Sequence, residues 1–170
     1  ANREDNQDGS DYDHSWNCGV EGPTRRRSVR MLRDRQVKNA VLMLMLSQGV
    51  PLIYGGDEFG NSQQGNNNAY CQDNEIGWVD WGRAKRFREL TDFVREVIAF
   101  RKEHKVLHLA QEPQGVDYRC LGYPDISYHG QRAWYGDTEP SSRQAGIMYY
   151  EGYGQEEKAQ GFIYLAFNLY

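Results

Sequence analysis

The chain has 170 residues, a length that suits about one domain and falls short of the roughly 250 residues of a complete (β/α)₈ barrel. Its formal net charge of -4, from 20 Lys+Arg against 24 Asp+Glu, speaks against a polyanionic partner for the chain as a whole. Apolar residues make up 39% and aromatics 13%, which excludes disorder along the whole length and concentrates the core-forming material in particular segments.

Residues 1–24 are polar and rich in Gly, Asn, Asp and Ser, and read as a long loop. From Arg25 to Gln48 the spacing turns helical, with Val29, Leu32, Gln36, Val37, Ala40, Val41 and Leu44 on one face. The last turns, Ala40–Leu46, are apolar on every side, so a helix end buried all round is expected. That run is far shorter than the roughly 18 residues needed to span a bilayer, and no membrane association is expected. Gly49 and Pro51 then stop the helix, and Leu52-Ile53-Tyr54 reads as a short buried strand ending at Gly55-Gly56. A second loop occupies residues 57–80.

An amphipathic helix is expected over Ala84–His104, with Phe87, Leu90, Val94, Val97, Ile98 and Arg101 on one stripe. Beyond Pro113 the period shortens to four strand candidates: Ile126–Tyr128, Arg132–Tyr135, Ile147–Tyr150 and Phe162–Tyr170. The fold class is therefore α/β followed by a small antiparallel β unit. A buried helix, a buried strand and a sheet that should continue past Tyr170 together read as a piece of a longer protein.

Several side chains invite chemistry. Asp57 and Glu58 follow the expected strand at its C-terminal end, where α/β folds collect functional groups. Neighbours on an extended strand point to opposite faces, so they are not expected to act as an acid and nucleophile pair across one sugar. They either face a site or brace the following loop through backbone N–H groups. The loop Asn61–Asn74 sets amides beside Tyr70 and Asp73. Amides donate and accept, and an aromatic face stacks on a sugar ring, so this loop either suits polyhydroxyl ligands or satisfies its own turns.

Other groups carry less. Asn6, Asp8, Asp11 and Asp13 around Gly9 look like a calcium loop, but its closing position falls on Ser15, which cannot chelate. Arg25, Arg26, Arg27, Arg30, Arg33 and Arg35 are interrupted by Asp34 and read as a solvated helix start, so no nucleic-acid partner is expected. His14, His104, His108 and His129 lack metal-ligand spacing, and Cys71 has no neighbouring His to activate it. The odd set Cys18, Cys71 and Cys120 contains no CxxC and favours a reducing, cytoplasmic location.

Five strings give the sequence a family likeness: NxDG at Asn6–Gly9, SWNCGVEG at Ser15–Gly22, LSQGVPLIYGGDEFG at Leu46–Gly60, GNNNAYCQDN at Gly65–Asn74 and WVDW at Trp78–Trp81. Over about residues 2–108 the chain resembles the isoamylase and glycogen-debranching branch of the α-amylase superfamily. The resemblance implies the C-terminal part of a catalytic (β/α)₈ TIM barrel over residues 1–110 and the beginning of a β-sandwich over 111–170. Arg25–Gln48 would be the seventh barrel helix, Pro51–Tyr54 the eighth strand and Ala84–His104 the last helix.

It further implies hydrolysis of α-1,6 branch linkages in glycogen- or starch-type α-glucans with retention. The Asp nucleophile, the Glu acid/base and a second Asp all lie upstream, so no catalytic residue is assigned here, and the 170-residue chain alone should be inactive. No cofactor and no metal are implied. Asp57, Glu58, Asn66, Asn67, Asn68, Tyr70 and Asp73 are the implied substrate-binding residues, with Trp16 and Asn17 as weaker candidates. The implied partners are α-glucan, whether glycogen, starch or branched maltooligosaccharide, and the remainder of the protein's own barrel. A trehalose-forming or trehalose-releasing relative and a non-catalytic glucan-binding piece are the alternatives.

Overall fold

The computed structural model describes residues 12, 15–70, 72–136, 139, 141–154 and 161–168. The calcium-like residues Asn6, Asp8, Asp11 and Asp13, together with His14 and Cys71, therefore lie outside the described residues. The chain divides into two compact units, one from Ala1–Met45 and Leu52–Ile98, the other from Leu46–Pro51 and Ala99–Tyr170.

In the first unit α1 spans Arg27–Leu46. The loop before it is held by Arg33, whose guanidinium donates to the carbonyls of Asn17 at 2.9 Å, Gly22 at 2.8 Å and Val20. Arg33 is thus a clamp on backbone acceptors rather than a solvated charge. The apolar end of α1 is not buried all round. Met45 alone of the helix is buried, while Met43 and Leu44 are exposed. Nor is Leu52-Ile53-Tyr54 a strand: it has no regular structure and no strand partner among the described residues, and Leu52 is 87% exposed. A strand needs a neighbour to take its N–H and C=O groups, and the described residues of this unit contain none.

The expected helix over Ala84–His104 is split. α2 spans Gly82–Arg86 and α3 Arg88–Glu103, with Phe87 between them at φ -111°, ψ 35°. Phe87 has turned its ring against the backbone of Gly60, and the guanidinium of Arg83 lies 4.8 Å from its centre. Leu90, Val94 and Val97 form the buried stripe of α3.

In the second unit an antiparallel sheet runs in the order β1 (Ile126–His129), β2 (Gln144–Tyr150), β3 (Phe162–Asn168). Ile126 faces Tyr149 and Tyr149 faces Ile163, and these three pack with Val106, Leu107 and Tyr153 into the core. Arg132–Tyr135 is not a strand but a single bridge closing a tight turn, in which Gly130 N–H donates to Tyr135 O at 2.7 Å. Buried Asp125 holds this unit's entry loop. Its carboxylate accepts from the N–H groups of Gln114 at 2.7 Å and of Gly115 and Ile126, both at 2.8 Å. Arg101, also buried, donates to the carbonyls of Ser47 at 2.7 Å and Gly49 at 2.6 Å.

Candidate functional site

The first unit's polar loops are shaped by glycine and by amide side chains. Gly56 at φ 102° and Gly60 at φ 75° bracket a single helical turn, Asp57–Phe59. Left-handed backbone of this kind is open to glycine at little cost, and it turns the chain back so that Asn61 N–H reaches Gly56 O at 2.9 Å. Asp57 and Glu58 therefore stand on a tight turn and not on a strand. Glu58 folds over it, accepting from Gly56 N–H at 2.8 Å, which is the bracing role left open by the sequence. Asp57 is the member of the pair that reaches a hollow. Its carboxyl is pushed above the usual carboxylate value, first by partial burial in the turn and second by the negative charge of Glu58.

Further along, the amides organise their own loop. Asn66 Oδ1 accepts from Asn68 N–H at 2.8 Å, Asn68 Oδ1 from Tyr70 N–H at 3.1 Å and Asn74 Oδ1 from Ile76 N–H at 2.9 Å. Each is an Asx-turn, the side chain replacing a backbone acceptor two residues on. Asp73 Oδ1 accepts from the indole Nε1–H of Trp78 at 2.8 Å. The self-satisfying reading therefore holds for these amide oxygens, which fix the loop backbone, and Tyr70 on that backbone is 81% exposed.

Two open hollows adjoin along this surface. One, about 540 Å³, is lined by Tyr54, Gln63, Ala69, Tyr70, Gln72, Asp73 and Gly77. The other, about 350 Å³, is bordered by Asp57, Asn61, Asn66 and Asn67 among others, and it shares Tyr54 and Gln63 with the first. Of the residues singled out from the sequence, Asp57, Asn66 and Asn67 come together at one hollow and Tyr70 and Asp73 at the other. Glu58 and Asn68 line neither. Trp16 is exposed, whereas Asn17 is occupied by its own turn, accepting from Gly19 N–H at 2.8 Å and donating to Glu21 at 3.1 Å.

Tyr54 and Gln63 were not singled out from the sequence. The signal for Tyr54 was its place, last in the apolar run before Gly55-Gly56, which the strand reading had buried. Chemically, the surface offers aromatic rings beside carboxylate and amide groups that both donate and accept, which matches a ligand with apolar ring faces and a rim of hydroxyls. Among the described residues no cluster of His, Cys, Asp or Glu is suited to a metal ion.

No protein-family model matches the chain. It is 51% identical over 106 residues to the glycogen operon protein GlgX homolog of Mycobacterium bovis, a match covering 62% of this chain and 15% of that protein. It is 36% identical over 168 residues to isoamylase 1, chloroplastic, of Oryza sativa subsp. japonica, covering 99% of this chain and 19% of the rice protein. The chain thus spans about a fifth or less of the length of these relatives. Its fold is similar to part of a pullulanase from Paenibacillus barengoltzii solved with maltotetraose, with a TM-score of 0.61 at 19% identity over 88% of this chain and 20% of that one.

Proposed function

Since the chain belongs to the isoamylase and glycogen-debranching type of the α-amylase family, we propose that the protein containing it hydrolyses α-1,6 branch linkages of an α-glucan with retention of configuration. On this reading α1 and α3 are the last helices of a (β/α)₈ barrel, residues 51–54 its eighth strand, and the sheet of the second unit the beginning of a β-sandwich after residue 110. The bare, unpaired Leu52-Ile53-Tyr54 supports this, since a parallel barrel would give it a neighbour on either side. Free Cys18 and Cys120 suit the cytoplasmic location that belongs to the proposal.

The single observation that carries the reading is the pair of adjoining hollows joined by Tyr54 and Gln63. They follow the proposed eighth strand at its C-terminal end, the face on which barrel enzymes build their sites. The chemistry itself, two carboxyl groups about 5 Å apart across the scissile bond, falls to residues outside this chain. Within the chain, the rings of Tyr54 and Tyr70 stack on glucosyl faces, and Gln63, Asn67 and Asp73 bond the hydroxyl rim. Asp57, its carboxyl raised above the usual carboxylate value by partial burial and then by Glu58, adds a further polar group to the same rim. Incubating the full-length protein with glycogen and with unbranched amylose tests the proposal. Linear maltooligosaccharides should appear from glycogen alone, and a non-reducing disaccharide product would point to the trehalose-related alternative instead.

A further inference from the structure

The loop segment from Asp73 to Trp78 is built as a staple on one carboxylate. Asn74 folds it: Asn74 Oδ1 accepts from Ile76 N–H at 2.9 Å, and Asn74 O accepts from the N–H groups of Gly77 and Trp78, both at 3.0 Å. Gly77 lets the two arms close, because a Cβ there would come within 2.7 Å of the carbonyl oxygen of Gln72. That oxygen belongs to the backbone, so a side chain at position 77 would force the arms apart. The folded-back chain brings the indole of Trp78 to Asp73, where Nε1–H donates to Oδ1 at 2.8 Å. Gln72, Asp73 and Gly77 all line the larger hollow.

The kind of donor matters. Asp73 is exposed, and an exposed carboxylate on a loop, left untied, spreads over several rotamers. An indole is a donor only, with a single N–H. It fixes the direction of the carboxylate while taking one of roughly four acceptor positions, and it brings no positive charge to neutralise the acid. The remaining lone pairs stay available to hydroxyl donors in the hollow. Trp78 is itself 58% exposed and lines neither hollow, so its link to the larger one runs through Asp73.

We propose that Trp78 is a positioning residue for glucan binding: its indole holds the Asp73 carboxylate in the orientation that accepts hydrogen bonds from the hydroxyls of a glucosyl unit in the larger hollow. This rests on the proposed substrate class and adds to it a residue that acts without touching the sugar. Because the reacting carboxylates are assigned outside this chain, Asp73 holds the substrate equally before and during the reaction. Loss of its positioning therefore weakens binding without slowing the chemical step.

The test compares four forms of the full-length protein: the parent, Trp78→Phe, Asp73→Ala and the double variant, which together close a double-mutant cycle. Phenylalanine keeps a ring and removes the N–H. Each form is read twice, by kinetics on a branched maltooligosaccharide and by its Kd for a linear one. Trp78→Phe should raise KM and Kd about three- to tenfold with kcat unchanged. Asp73→Ala should raise them at least as much, and adding Trp78→Phe to Asp73→Ala should change nothing further. A KM and Kd equal to the parent's in Trp78→Phe overturn the inference and leave the debranching proposal standing. A Trp78→Phe effect of the same size in the Asp73→Ala background also overturns it, because the ring would then act through its own contact or through the fold. A parent that binds the linear glucan with a Trp78-dependent Kd, yet releases no linear product from a branched one, keeps this inference and refutes the proposed reaction.

Discussion

Two carboxyl groups show how one side-chain type is set to opposite purposes. Asp57 is raised above the usual carboxylate range by partial burial and then by Glu58. Its fold therefore favours the protonated form, so it detracts from stability once pH rises past the ordinary value and is harmless below it. Glu58→Gln removes the second cause and should lower the titration midpoint of Asp57 in a carboxyl carbon-13 NMR titration; an unmoved midpoint would refute the charge coupling. Asp117 has the reverse sign. The hydroxyl of Tyr153 at 2.7 Å is the largest cause holding its pKa down, followed by the N–H of Leu121, with that of Gly122 also contributing. The stabilisation it supplies is complete above the usual carboxylate value and is lost as pH falls through the depressed one. Tyr153→Phe should bring the Asp117 midpoint back up toward 3.8, measured the same way.

At the scale of elements, the turn after α1 depends on backbone that only glycine adopts freely. Gly49 lies at φ 91° with open space where a Cβ would go, so Gly49→Ala should cost about 1 kcal/mol through conformation alone, readable as a lower urea midpoint at constant m-value. Arg101 caps the same turn with two charged hydrogen bonds, and Arg101→Met should cost about 2–3 kcal/mol by leaving the carbonyls of Ser47 and Gly49 without their donor. Elements whose burial is decided by their own spacing were legible in the sequence: the Leu90, Val94, Val97 stripe of α3 and the strands around Ile126, Ile147 and Ile163 are where period alone puts them. Elements whose burial depends on neighbours were not. Ala40–Leu46 and Leu52–Tyr54 carry core-like residues, but exposure follows from what packs on them, and no pattern within the segment encodes that. The site was legible in part for the same reason. Asn66, Asn67, Tyr70 and Asp73 sit in a polar loop and read as surface, whereas Tyr54 was hidden inside an apolar run, and the turn that commits Glu58 to Gly56 N–H depends on two left-handed glycines.

At the scale of the whole molecule, Met43, Leu44, Val50, Leu52 and Tyr54 leave apolar surface uncovered in the 170-residue chain. Expressed alone, this chain should self-associate, and a sedimentation run showing a monodisperse monomer would contradict that expectation. It should also show no hydrolysis of any glucan, because the reacting carboxylates are assigned to the rest of the barrel. Tyr54, Gln63 and the amide loop are proposed to border the cleft of a debranching enzyme. The most direct measurement is the product profile of the full-length protein on glycogen, compared between parent and Tyr54→Ala. Linear maltooligosaccharides are expected from the parent and a several-fold higher KM in the variant. Absence of any linear product from the parent, or a variant with unchanged KM and kcat, would contradict that proposal.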